Sequence, residues 1–99
     1  MAILTNQEAA ELLGYTAPEE MPGKVTSIFL PGAEGYVKEA TGKDWGADTP
    51  VDPVAKMAVG VLLIRWFENP EEVGKATGTG IIGLVTQLSA KYQLELQSL

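Results

Sequence analysis

The stretch from Asp52 to Asn69 constrains this chain most, because it carries a helix start, a helix stop, and between them more apolar residues than one helix face can hold. Asp52 is placed to accept a hydrogen bond from an orphan backbone N–H, and Pro53 suits the first helical position, where its missing N–H costs nothing. Pro70 biases Asn69 away from helical angles, so the spacing predicts a helix over 53–68. Val54, Met57, Ala58, Val59, Val61, Leu62, Leu63, Ile64, Trp66 and Phe67 are distributed around it. A helix apolar nearly all round wants neighbours on most sides. At helical rise it spans roughly 24 Å, about the width of a small domain, which makes it the candidate pillar of the fold. A strand through Val59 to Ile64 is the alternative, since a short apolar run has no diagnostic period. The caps and the overall length favour helix.

A chain of 99 residues is read as one domain, 1–99, with a single core. It contains no cysteine and no histidine, so a disulfide framework, a thiolate site and the commonest general base and metal ligand are all missing. The longest apolar run, Met57 to Ile64, stops at Arg65, far short of the roughly 20 residues of a membrane span. Met1 to Thr5 shows no basic region ahead of an apolar stretch, and a cytoplasmic product is expected.

Charge is unevenly placed. Residues 1–52 carry nine acids (Glu8, Glu11, Glu19, Glu20, Glu34, Glu39, Asp44, Asp48, Asp52) against Lys24, Lys38 and Lys43, whereas residues 53–99 balance at four and four. Gripping nucleic acid by its phosphates requires clustered Lys and Arg, and seven scattered basic residues in a chain of net charge −6 argue against it. The acidic half reads either as a solvated surface that aids solubility or as an electronegative wall that DNA slides past.

Around the pillar, helical signals alternate with breakers. Thr5-Asn6-Gln7-Glu8 fits a capping box opening a short helix over 6–13, stopped by Gly14. Pro18, Pro22 and Gly23 mark 15–25 as loop. Phe29, Ala33, Tyr36, Val37 and Ala40 form one face of an amphipathic helix between about Ser27 and Thr41, either with Thr26 or Ser27 as cap and Pro31 in the first turn, or beginning at Leu30 with Pro31 as its first residue, and with Gly42 as its end. Residues 43–51 read as a connection whose Trp45 folds back over the core. Residues 69–80 hold one proline and three glycines with no apolar period, a long loop of the kind used for contacts. Ile81, Ile82, Leu84, Val85 and Leu88 predict a last helix over 81–91. Tyr92, Leu94 and Leu96 then alternate with polar residues at a strand's period, which predicts an extended tail. The fold class is all-α: a bundle of about four helices around 53–68, with the loop 69–80 and that tail.

Chemistry-bearing motifs are scarce. Gly74, Gly78, Gly80 and Gly83 beside Lys75 lack the Gly-Lys-Ser/Thr order of a phosphate loop, because Ala76 follows Lys75. Glu19-Glu20 and Glu71-Glu72 are adjacent in sequence, do not face each other on a helix, and read as solvated charge. No nucleophile and base pair up. No enzyme, cofactor, metal site or small-molecule substrate is expected.

The order of signals over residues 26–92 resembles the small head-tail connector, or adaptor, proteins of tailed bacteriophages and prophages. The resembling residues are the amphipathic helix Ile28 to Ala40 closing on Thr41-Gly42, with Tyr36 inside it, and the aspartate-led pillar ending Arg65-Trp66-Phe67-Glu68-Asn69-Pro70-Glu71. The glycine-rich loop and Gly80-Ile81-Ile82-Gly83-Leu84-Val85 through Leu88 and Tyr92 complete the match. Pro70 stands where the family often has a basic residue, and this chain continues past Tyr92, where many members end. The resemblance implies a structural subunit of a homo-oligomeric ring that docks below the portal protein after DNA packaging, in the virion at the head-tail interface, after synthesis in the bacterial cytoplasm. It further implies contacts to portal and to a stopper or tail-completion protein through the loop and tail (Glu71, Val73, Lys75, Thr77, Thr79, Tyr92, Leu94, Leu96). A channel wall at Glu34, Glu39, Asp44 and Asp48 would let DNA pass without specific binding, and the tail would add as a strand to a neighbour's sheet. The competing readings are a small helical DNA-binding module, which the charge opposes, and a regulatory, antitoxin-like or scaffold protein that binds a single protein partner.

Overall fold

The computed structural model describes residues 2–76 and 80–98. Its centre is the expected pillar: helix α3 spans Pro53–Glu68, Asp52 accepts from the Val54 N–H at 2.8 Å, and the Asn69 N–H closes the last turn on the Arg65 carbonyl. Three more helices surround it, α1 (Asn6–Leu12), α2 (Leu30–Thr41) and α4 (Ile81–Gln97), and no strand is present among the described residues. Helices α2, α3 and α4 pack on one another pairwise, and α1 lies against α3. The fold is all-α.

Capping chemistry sets the ends. Thr5 and Glu8 exchange side-chain-to-backbone hydrogen bonds at 3.0 and 2.9 Å, the reciprocal box read in the sequence, and Gly14 follows at positive φ. Gly42 ends α2 at φ +82°, a left-handed conformation that costs a residue with a Cβ about 1–2 kcal/mol. The segment ahead of α1 is tied down by Glu34, whose Oε2 accepts from the Ile3 and Leu4 N–H groups at 2.6 and 2.9 Å.

The start of the second helical region differs from expectation. The chain turns helical at Gly23, not Ser27, and passes through a wide, π-type turn over Val25–Phe29 before α2, which itself begins at Leu30, the alternative start. Thr26 and Ser27 do not cap it, since both hydroxyls donate back to the Gly23 carbonyl. Pro31 therefore lies well inside the helical run. In a regular helix its ring crowds the carbonyl four residues back, and the wide turn, in which the Leu30 N–H donates to the Val25 carbonyl, sits where that conflict arises. The longer run adds Val25 to the buried ridge Phe29, Ala33 and Val37, while Ala40 is exposed.

Two connections are more ordered than expected. Trp45 is buried, with its indole N–H donating to Thr41 Oγ1 at 2.8 Å. Between α3 and α4, a single 3-10 turn covers Pro70–Glu72, Val73 and Ala76 pack against the core, and the Trp66 indole N–H donates to the Lys75 carbonyl at 2.7 Å. The extended tail is corrected outright, because α4 continues to Gln97 and residues 92–96 are helical. At helical spacing Tyr92 and Leu96 share one side and Leu94 lies on the other, so the alternation that mimics a strand is split between two faces.

The pillar is not enclosed. Ala55, Ala58, Val59, Leu62, Leu63 and Trp66 are buried, but Met57 is 56% exposed, and Val61 and Ile64 are only half-buried. One apolar stripe of α3 is thus only partly covered inside the chain. Leu62→Ala is expected to cost about 2–5 kcal/mol by urea unfolding, whereas Met57→Ala is expected to stay within about 0.5 kcal/mol of the parent.

Candidate docking surfaces

The bare stripe of α3 forms the floor of a groove of about 550 Å³, closed on its other side by α1. Leu4 and Leu12 face Met57, Val61 and Ile64 across it, with Glu8, Glu11 and Lys56 at the lining's polar positions. Gly60 eases the approach of the two helices: a Cβ there would lie 3.3 Å from Leu12 Cδ1, and that side chain would have to give by a few tenths of an ångström. Leu12 remains 46% exposed. Small-molecule pockets of this size pair an apolar lining with a few convergent polar groups. Here Glu8 and Lys56 already satisfy each other in an ion pair, which leaves Glu11 as the remaining charge on a mostly apolar surface.

A second unpartnered surface runs along α4. Ile81 and Leu88 are buried, with Leu84, Val85 and Tyr92 partly so. The opposite face, comprising Ile82, Gly83, Thr86, Gln87, Ala90, Gln93, Leu94 and Gln97, is exposed and carries no charge. Ile82 is 77% and Leu94 66% exposed. The two charges on α4 are drawn back to the body, Lys91 to Asp52 at 2.9 Å and Glu95 to Lys43 at 2.6 Å. Lys43 is a hub: it also pairs with Asp48 at 3.0 Å and lies over the rings of Trp45 and Tyr92. Burial alone would lower its pKa, but Glu95 and Asp48 outweigh that and raise it.

The residues singled out in the sequence are scattered by the fold. Of the proposed contacts, Leu94 lies on the neutral face, and Leu96, 43% exposed, projects from another side. Tyr92 turns inward under Lys43. In the loop, Val73 packs on the core and the Lys75 carbonyl is taken by Trp66, while Glu71 is exposed. Thr77 and Thr79 lie outside the described residues. Of the proposed channel wall, Glu34 holds residues 3 and 4, Asp48 pairs with Lys43, and Asp44 accepts from the Gly46 N–H at 3.2 Å. Glu39 is exposed, but five residues along a helix places it roughly 140° round from Glu34. The groove residues Leu12, Met57, Val61 and Ile64 were not singled out. Their signal was present in the surplus of apolar residues on the pillar, but which stripe stays bare depends on how the other helices dock.

No group of acidic side chains placed to hold a metal ion occurs among the described residues, and none of their helices is long and apolar enough to cross a membrane. Electrostatics instead ties elements together. The Lys56 ammonium, aided by the Thr5 N–H, holds the Glu8 carboxyl below its ordinary 4.5. Burial would push Asp52 up, but Lys91 and the Val54 N–H outweigh it and hold that carboxyl below its ordinary 3.8. A carboxyl depressed by folding stabilises the folded state above its unfolded pKa, and the contribution is lost as pH falls through the lower folded value. Urea midpoints are therefore expected to fall as pH drops below about 4.5, and Glu8→Gln is expected to be less stable than the parent at pH 7 with a shallower acid loss. A scan against protein-family models matches no family, and searches of curated proteins and of solved structures return no match, so the functional reading rests on the chain itself.

Proposed function

We propose that the chain is a structural subunit of a head-tail connector ring of a tailed bacteriophage or prophage, docking below the portal protein and forming part of the DNA exit channel in the completed virion. The observation that carries this reading is the presence, on one small domain, of two unlike unpartnered surfaces: the apolar groove between α1 and α3, and the neutral outer face of α4. A ring built from identical subunits needs two different patches on each, because each subunit meets its neighbours head to tail. The order of helices and breakers over residues 26–92 supports the same reading through its resemblance to connector proteins.

In this reading the loop region around Glu71 and the end of α4 at Leu94 and Leu96 reach toward portal and stopper or tail-completion proteins. The acidic residues of the first half, Glu39 among them, keep passing DNA from sticking. Catalysis has no part in it, and neither a cofactor nor a small-molecule substrate is required.

A second reading has one observation in its favour. An apolar groove alongside a helix is a receptor for a single amphipathic helix, so a regulatory or scaffold protein with one protein partner would also use it. Stoichiometry separates the two. Light scattering across a concentration series is expected to show growth beyond a dimer, favoured by addition of the portal protein. A strict monomer, alone and with portal, removes the ring reading. A gel shift at low salt is expected to show no retardation of duplex DNA, since phosphate-driven binding is strongest there.

A further inference from the structure

Neither surface named above has an occupant in the chain itself: α4 is held against α2 and α3 of its own body, and the groove lies between α3 and α1. We infer that each is the other's partner in a second copy, the outer face of α4 around Leu94 seating in the α1–α3 groove of the next subunit. The inference rests on the ring reading and names the contact that would build it.

Charge selects the occupant. The groove carries Glu8 and Glu11, with Lys56 already committed to Glu8. An incoming carboxylate would meet like charge there. The exposed faces of the other helices bear charge, Glu11 on α1, Lys38 and Glu39 on α2 and Glu68 on α3. On α4 the exposed row Ile82, Thr86, Ala90 and Leu94 has none, and Glu95 is drawn away by Lys43. In a chain of net charge −6, this is the helix face that can approach a second copy with least repulsion.

Shape and length agree. Thr86 and Ala90 are small and let the helix come close, while Leu94 stands out as the anchor. The exposed end of α4, residues 93–98, offers it without a neighbour in the way. The α3 wall from Lys56 to Ile64 runs about 12 Å, close to the roughly 10.5 Å from Ala90 to Gln97. Leu94 then meets Met57, Val61 and Leu12, whose exposed surfaces it covers. Leu96 lies about 200° round from Leu94 and stays outside the contact.

The absence of cysteine makes a clean test possible. Met57→Cys and Leu94→Cys are full-length single variants at exposed positions, and circular dichroism verifies that each retains the parent's helical signal. Under mild oxidation an equimolar mixture is expected to give disulfide-linked dimers, whereas each variant alone gives at least tenfold less. A chain with both substitutions is expected to give a ladder of covalent oligomers. Leu94→Glu, with its helical signal unchanged, is expected to raise the concentration at half-assembly by about tenfold or more. Cross-linking of Leu94→Cys alone as strongly as the mixture would overturn the inference in favour of α4 pairing with itself. If the parent assembles but the mixture does not cross-link, the contact is wrong while the ring reading stands. If the parent stays monomeric at every concentration, with and without the portal protein, both fall together.

Discussion

A helix that is apolar nearly all round needs more neighbours than this chain supplies, and most features of the structure follow from that shortage. Helices α2 and α4 cover two flanks of α3, and α1, only seven residues long, covers part of a third. What remains is the stripe Met57, Val61 and Ile64, an apolar strip on the helix that otherwise forms the centre of the core. Widening α1's coverage would close the gap. Gly60 instead lets Leu12 come close to α3 at one point and leaves the rest open. The cost of leaving such surface in water is on the order of 25 cal/mol per Å², which is what a docking partner recovers.

The charged residues work largely as internal fasteners. Lys43 joins the end of α4 to the connection ahead of α3, Lys91 joins α4 to the cap of α3, Lys56 joins α3 to α1, and Arg65 pairs with Glu72 across the turn that follows α3. Each is partly exposed and individually worth little. Together they orient α1 and α4 on the pillar and draw the charges of α4 away from its outer face. A strongly acidic protein thereby keeps one long helix face neutral.

The caps made much of this legible from the residues alone. Asp52-Pro53 and Asn69-Pro70 delimit α3, Thr5 with Glu8 opens α1, and Gly42 closes α2, because each acts within a few residues on groups that sequence places beside it. Errors arose where a local pattern admits two periods or a tertiary contact decides. Tyr92, Leu94 and Leu96 alternate as a strand would, yet Lys43 with Glu95 and the packing of Tyr92 continue the helix. Pro31 suggested a helix start, and a wide turn carried the helix past it. The acids proposed for a channel wall were chosen by charge alone, and Glu34, Asp44 and Asp48 turned out to bind parts of their own chain. Which stripe of the pillar stays bare could not be read, because it depends on docking between segments far apart in sequence.

The central claim is that Met57 marks surface left open by the fold and covered by assembly. Methyl NMR of the full chain labelled at methionine tests it directly, since Met57 is exposed and Met21 is buried in the core and serves as an internal reference. On raising the concentration from dilute to assembling conditions, the Met57 methyl is expected to shift and broaden while Met21 holds its position. Assembly in solution with Met57 unmoved would contradict the account.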